Sequence, residues 1–475
     1  MGPRLSGVPA LKPVTHNINT MNTINIKHLI IPTIALALAA CHKEEMVDIS
    51  PAKLSAGQAI TSDTLTGSVK GVLQSGRTYY FRTDITVNAG DTLLMMEGSK
   101  LIALGDGKTT ATSPQITCNG TFISLGTPNN HNFITVPDAQ RNTNSVGKGL
   151  WGGIQCGDKS GDLIIKWTHL EFAGGPAGPA ADPGVYAAGD PRYTVVYTNI
   201  NGNCIFEDNW IYGSTDDGMR VLHGHVSIMR NTYEANGKAG GEAVNIKNGT
   251  LGDIAYNLAI GAATNGFKVS NSGDGPVQTN VNVYNNTMIN CGFRQVKSGR
   301  GGSINFEKGA QGKIFNNMII NCRFGLRVTS DADGAHITYN NQFYYANDQR
   351  MINQFNASDG VAKTMSGDIR STTPGTNNPQ FAQYDVNQFD YTKLTFPMDI
   401  TAMPFTIITA GSYNFGLLPG SPALKKANAD LFQPMKSVPQ SGTYGATTLA
   451  PGVDMGAYQS DGSGNLHYAS SLSFN

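Results

Sequence analysis

The sequence predicts an all-β solenoid of short stacked coils, and three observations predict it. First, one phrase recurs between Phe206 and Phe343: an apolar residue, two variable residues, an Asn, then another apolar residue one or two places on. Its copies are Phe206-Glu207-Asp208-Asn209, Ile228-Met229-Arg230-Asn231, Ile254-Ala255-Tyr256-Asn257, Val283-Tyr284-Asn285-Asn286, Ile314-Phe315-Asn316-Asn317 and Ile337-Thr338-Tyr339-Asn340, with asparagines 22, 26, 29, 31 and 23 residues apart. Second, most copies are followed by a Gly-apolar-polar-apolar strand, such as Gly218-Met219-Arg220-Val221, Gly266-Phe267-Lys268-Val269 and Gly325-Leu326-Arg327-Val328. A period in this range without a helix-length amphipathic segment belongs to stacked β-coils. Third, only 14% of residues are charged and Gly, Asn, Thr and β-branched residues abound, a composition for strands and tight turns. A length of 475 residues sets no domain count, because a solenoid grows by adding coils.

In chain order, residues 1–40 read as an address. Residues 1–20 resemble neither domain nor signal, and Met21 is an alternative start to Met1. From Met21 a short segment with Lys27 and His28 leads into an apolar run, Leu29 to Ala40, too short for a permanent span, and then Cys41. Leu38-Ala39-Ala40-Cys41 resembles the lipobox of bacterial lipoproteins, in which the Cys is lipidated. His42-Lys43-Glu44-Glu45 resembles the export signal of Bacteroidetes surface lipoproteins. That resemblance implies an outer-membrane lipoprotein facing the cell exterior, held by a lipid anchor beside outer-membrane partner proteins, with residues 41–70 as lipidated Cys and tether. Cys41→Ser is then expected to release the protein from the membrane fraction; a variant that stays membrane-bound overturns the lipobox reading.

The β-coil domain is expected over residues 71–343. From Gly76 to Leu104, Thr78-Tyr79-Tyr80-Phe81, Ile85-Thr86-Val87 and Thr92-Leu93-Leu94-Met95 alternate with turns. With Ile116-Thr117-Cys118-Asn119-Gly120-Thr121-Phe122-Ile123 and Leu150-Trp151-Gly152-Gly153-Ile154, this stretch resembles the opening of Bacteroidetes surface proteins of the right-handed parallel β-helix, or pectin-lyase-like, superfamily. The resemblance implies a single-stranded right-handed parallel β-helix and no particular reaction. Trp151 reads as a packing cap over the first coils in preference to a sugar-stacking platform. Thr168 stands where the repeat has Asn. Residues 173–192, with Gly174-Gly175-Pro176, Asp182-Pro183-Gly184 and Asp190-Pro191, form neither ladder nor helix and are read as an inserted loop.

Residues 344–475 lose the period. Asn378-Pro379-Gln380-Phe381, Asp390-Tyr391-Thr392-Lys393-Leu394, Pro419-Gly420-Ser421-Pro422-Ala423-Leu424 and Asp454-Met455-Gly456-Ala457-Tyr458 resemble the C-terminal closure of extracellular parallel β-helix proteins, and are read as terminal coils and a C-terminal cap.

Charge and cysteines exclude several functions. The formal net charge is zero, and residues 1–40 hold Arg4, Lys12 and Lys27 without an acid, so the remainder is slightly acidic and carries no footprint for nucleic acid. Cys118, Cys156, Cys204, Cys291 and Cys322 are odd in number, against a complete disulfide framework. Cys291 and Cys322 each follow the repeat Asn by five residues and are expected to stack as free thiols, and no spacing fits zinc.

Placed in register, the repeat Asn becomes a buried ladder. The polar residue of the Gly-led strand becomes an outward column of Arg220, Asn245, Lys268, Asn305 and Arg327, with His223, Lys247 and Lys297 nearby. Such a column suits an extended anionic polysaccharide, or is an ordinary solvated β-face. The leading expectation is an accessory or binding component for extracellular acidic polysaccharide. The first alternative is a polysaccharide lyase or glycoside hydrolase, the second a structural protein or adhesin without a glycan ligand. Candidate catalytic groups are Asp216 and Asp217 on a turn, His223 and Lys268, with Glu242 and Glu307 as nearby acids. Ca²⁺ is a cofactor only for a lyase, and Asp331 and Asp333 are the candidate ligands. Convergence of a base and a neutralising group in one cleft favours an enzyme; a basic face without it favours binding.

Overall fold

The computed structural model describes residues 57–179, 185–273, 275–295, 297, 299–391 and 412–474, within one compact unit, Ser50–Asn475. Cys41 and the rest of the N-terminal address lie outside these residues, as do 180–184 of the insert and Thr392, Lys393 and Leu394 of the closing segment. Among the described residues no helix is long and apolar enough to cross a membrane.

Each coil has three faces. The first is a ten-stranded sheet that includes Asn203–Glu207, Gly224–Met229, Thr250–Ala255, Asn280–Tyr284, Gly312–Phe315 and Ile337–Asn340. The second comprises short strands such as Trp210–Tyr212, Thr232–Glu234, Leu258–Ile260, Thr287–Ile289, Met318–Ile320 and Phe343–Tyr345. The third comprises Met219–Val221, Val244–Ile246, Phe267–Ser270, Ile304–Glu307 and Arg327–Val328. The second and third faces join in one 19-stranded sheet, and every pairing between coils is parallel. The molecule is therefore an all-β parallel β-helix.

Between the first two faces the chain turns through one left-handed residue: Trp167, Asp208, Arg230, Tyr256, Asn285, Asn316 and Asn341 all have φ between 48° and 59°. All seven carry a Cβ, so the bend is unfavourable locally and must be held from outside. The next residue holds it. The Oδ1 of Asn231 accepts from the main-chain N–H (2.9 Å) and Nδ2 (3.1 Å) of Asn209, and Asn257, Asn286 and Asn317 do the same for the coil before. Each Nδ2 also donates to a carbonyl of the preceding coil, from Asn209 to Ile165 O (2.8 Å) through Asn317 to Val283 O (3.0 Å). Thr168 occupies the ladder position and donates its N–H to Asn209 Oδ1.

One expected rung is wrong. Asn340 pairs with Phe315 inside the first-face strand, and the last rung is Gln342, whose Oε1 accepts from Asn317 Nδ2 and whose Nε2 donates to Ile314 O. The longer Gln side chain reaches the same two partners, so a search for Asn alone misses it by two residues.

Inside the coils, alternate residues such as Cys204, Phe206, Ile228, Ile254, Val283 and Ile314 are fully buried. The five cysteines beyond Cys41 are free and buried. Cys118 and Cys156 are directly opposite in adjacent strands, and the thiols of Cys291 and Cys322 point at main-chain carbonyls at 3.6 Å. Trp151 is fully buried, donates Nε1–H to Glu171 O and meets Phe81 edge-on, which makes it a packing residue.

The closing segment, expected as terminal coils and a C-terminal cap, does two things. Met351, Ile352, Phe355 and Tyr391 complete the core at the last coil. Residues 412–474 then strap the outside of the first two faces. Asn428 N–H donates to Asn316 Oδ1, Met435 and Lys436 to Asp253, and Thr447 to Glu207. His467 stacks on Trp210 at 3.5 Å, and Arg141 binds the carbonyls of Ser471 and Phe474. The cleft lies on the third face.

Candidate functional site

Strand register on the third face places Gln155, Val196, Arg220, Asn245, Lys268, Asn305 and Arg327 in one column, each opposite the next. The coil from Gly292 to Phe306 contributes Asn305, as the column requires. The surroundings differ from the flat cationic face expected. Asn245, Lys268 and Asn305 are 1%, 9% and 2% exposed, because they floor a cleft of about 260 Å³.

Two further columns flank the floor, and sequence reading put neither in register. Three residues before each floor residue lie Tyr193, Asp217, Glu242 and Asn265; two residues after lie Lys247, Ser270 and Glu307. The second set was legible: residues i and i+2 of a strand share a face, so Lys247 sits beside Asn245 and Glu307 beside Asn305. The first set was not, because a turn separates it from the strand. Gly240, Gly241 and Thr264 from those turns, and Gln295, Lys297 and Arg300 from the loop after Cys291, raise the walls.

The floor cations are paired. Arg220 binds Asp217 (Nη2–Oδ2 2.6 Å) and lies 3.7 Å above the centre of the Tyr193 ring. Lys268 binds Glu307 at 2.9 Å, with Glu242 at 3.9 Å, and Arg327 binds Asp359 at 2.6 Å. Among the described residues, Lys247, Lys297 and Arg300 have no ion-paired carboxylate, so the cleft stays electropositive.

Of the candidate catalytic groups, Asp216 and Lys268 line the cleft. Asp217 does not reach it: it is fully buried, and accepts from Arg220 Nε (2.7 Å), Glu242 N–H (2.8 Å) and Asn245 Nδ2 (2.9 Å). It positions three cleft groups at once. His223 is misplaced as a candidate, since its ring packs beside Gly249 and Gly275 outside the cleft lining. Because Asp217 holds the Asn245 amide by its Nδ2, the buried Asn245 Oδ1 is left without a partner.

Burial and crowding separate the protonation states of these groups. Burial, then repulsion from Asp217, pushes the Asp216 carboxyl up; the same two causes push Glu242 far up. For Asp217, burial is outweighed by Arg220 and by donated hydrogen bonds, and its pKa falls. Glu307 likewise falls, with Lys268 outweighing burial. Burial, then the charges of Lys268 and Arg220, lowers Lys247 to about 8. One cleft thus holds two carboxyls of raised pKa and an amine of lowered pKa.

Asp331 and Asp333 each hold protein donors on one carboxylate oxygen. Asp331 Oδ1 accepts from Lys308 N–H and the Thr329 hydroxyl, while Asp333 Oδ2 is bound by Gln311 and His336. Among the described residues no three His, Cys, Asp or Glu side chains form a metal-binding group.

Residues 181–343 match the family described as right handed beta helix region, a span that ends where the period fails. No curated protein matches the chain. Together with the all-parallel sheets, the family match makes this a right-handed parallel β-helix protein with a charged cleft on one face.

Proposed function

We propose that this protein depolymerises an acidic polysaccharide by β-elimination in the third-face cleft, as a surface-anchored lipoprotein of the pectin-lyase-like kind. The observation that carries the reading is the convergence of Lys247, with its lowered pKa, on the floor cations Arg220 and Lys268 and the raised carboxyl of Asp216. A face built only to hold a polyanion needs cations; it has no use for buried acids of raised pKa beside an amine whose pKa is lowered to about 8.

In the reaction, the uronate carboxylate lies against Arg220 and Lys268, which stabilise the charge that develops on it. Lys247 removes the proton from the carbon α to that carboxylate. The electron pair forms the new double bond, the bond from the β carbon to the glycosidic oxygen breaks, and that oxygen takes the proton of Asp216. No calcium enters these steps.

The test is a polysaccharide panel followed by the absorbance of unsaturated uronate ends. A rise with a polyuronate is the expected result; a flat trace across the panel removes the lyase. Binding without cleavage is the second reading, favoured by the unbroken floor column. Lys268→Met with Arg327→Gln is expected to weaken retention on acidic glycans several-fold in affinity electrophoresis, and unchanged retention removes the column from recognition under both readings. Arg220 is left in place, since its loss strands the fully buried Asp217.

A further inference from the structure

The floor column is longer than the cleft. Gln155 and Val196 precede Arg220 in register, yet they are 1% and 0% exposed although their side of the strand faces away from the core. The insert accounts for this. Tyr186 donates its hydroxyl to Gln155 Oε1 (2.7 Å) and accepts from Tyr193 N–H (3.1 Å), and the two rings lie 4.9 Å apart. Arg192, 2% exposed, donates to Ser113 O at 2.8 Å and ties this end of the insert to the first coils. Tyr193 then abuts Arg220 from the same side.

The other end differs. Beyond Lys268 the floor continues through Asn305 to Arg327, where Arg300, Glu307 and Arg327 also line a second lobe of about 420 Å³ with Thr329, Ser330 and Asp359. Arg300, Ser330 and Asp359 are exposed, so this lobe opens to solvent. From Arg220 to Arg327 the groove spans four strand steps, about 19 Å.

We infer that the cleft is blind at its Tyr193 end and engages the terminus of an acidic polysaccharide chain, with the polymer leaving past Arg327 and Asp359; the inference rests on the polysaccharide reading above. The groups that bind charge follow the solenoid axis, so a chain in register with them runs along that axis. A mid-chain segment would have to continue over Val196 and Gln155, where the tyrosine pair lies. A terminal sugar meets no such conflict and stops at Arg220, which is backed by the Tyr193 ring.

The experiment follows the full-length protein on polygalacturonate and alginate by absorbance and viscosity together. Chain-end engagement gives unsaturated ends and short products well before viscosity falls. An early collapse of viscosity with long products overturns the inference and leaves the lyase standing. If no polymer yields unsaturated ends, the lyase falls, and competition decides the chain-end mode alone. At equal uronate concentration, short oligosaccharides carry more termini and must compete better than long polymer. Equal or weaker competition by the short chains overturns the inference.

Discussion

Lys247→Met abolishes depolymerisation and leaves the fold intact. The substitution keeps the length of the side chain and removes the one amine in the cleft whose proton is held loosely. Loss of a positioned general base is expected to reduce the rate by about 10²- to 10⁴-fold. Lys247→Arg does not rescue, because a guanidinium stays protonated. The pH profile gives an independent check. A base works in its neutral form and an acid in its protonated form, so the wild-type rate is bell-shaped, rising as Lys247 loses its proton near about 8 and falling as Asp216, pushed up to about 8, loses its own. Stability does not fall with the variant, since Lys247 repels Lys268 and Arg220 and has no ion-paired partner to strand. A Lys247→Met rate within about tenfold of wild type assigns the base elsewhere.

Asn257→Ala destabilises the solenoid by about 3–6 kcal/mol. Asn257 Oδ1 is the shared acceptor for the N–H and Nδ2 of Asn231, and its own Nδ2 serves Asn286 Oδ1 and Ile228 O. Truncation leaves buried donors and a carbonyl without partners at the left-handed Arg230 bend of the preceding coil, where φ is 57°. Each such group costs about 1–3 kcal/mol, and no water replaces the lost amide in a closed ladder without rearrangement. Asn340→Ala is the control: it lies outside the ladder, accepting only from Asn341 and Gly367 N–H at a half-buried bend, and is expected to cost about 1 kcal/mol. Gln342→Ala, two residues on, should cost as much as a full rung. Chemical denaturation of the three variants decides this, and a near-neutral Asn257→Ala would dismiss the ladder as the device that holds the bends.

The contrast between Asn340 and Gln342 shows where sequence pattern stops. The repeat phrase locates five rungs, since an Asn after an apolar strand residue has a single use in a stack of coils. At the sixth coil Asn340 satisfies the same phrase and Gln342 satisfies the geometry. Asn305 was placed correctly because the column demands a polar residue between two inward apolar ones, and Ile304 and Phe306 supply them. His223 was misplaced because closeness along the chain was taken for closeness in space: three residues after Arg220, the chain has already left the third face.

Sequence by itself determined the parallel solenoid, the inward ladder and the composition of the floor column, because each is a translational repeat and a repeat is written in one dimension. Tertiary structure decided what that column is. Whether Arg220, Lys268 and Arg327 form an open cationic strip or the floor of a charged cleft depends on turns, the insert and neighbouring coils, whose offsets vary from coil to coil and leave no period to read. It placed Asp217 beneath Arg220, brought Lys247 among cations that lower its pKa, and set Tyr186 and Tyr193 over one end of the groove. Burial and charge proximity are properties of distance in space, and here they turn a polar column into the floor of a charged cleft.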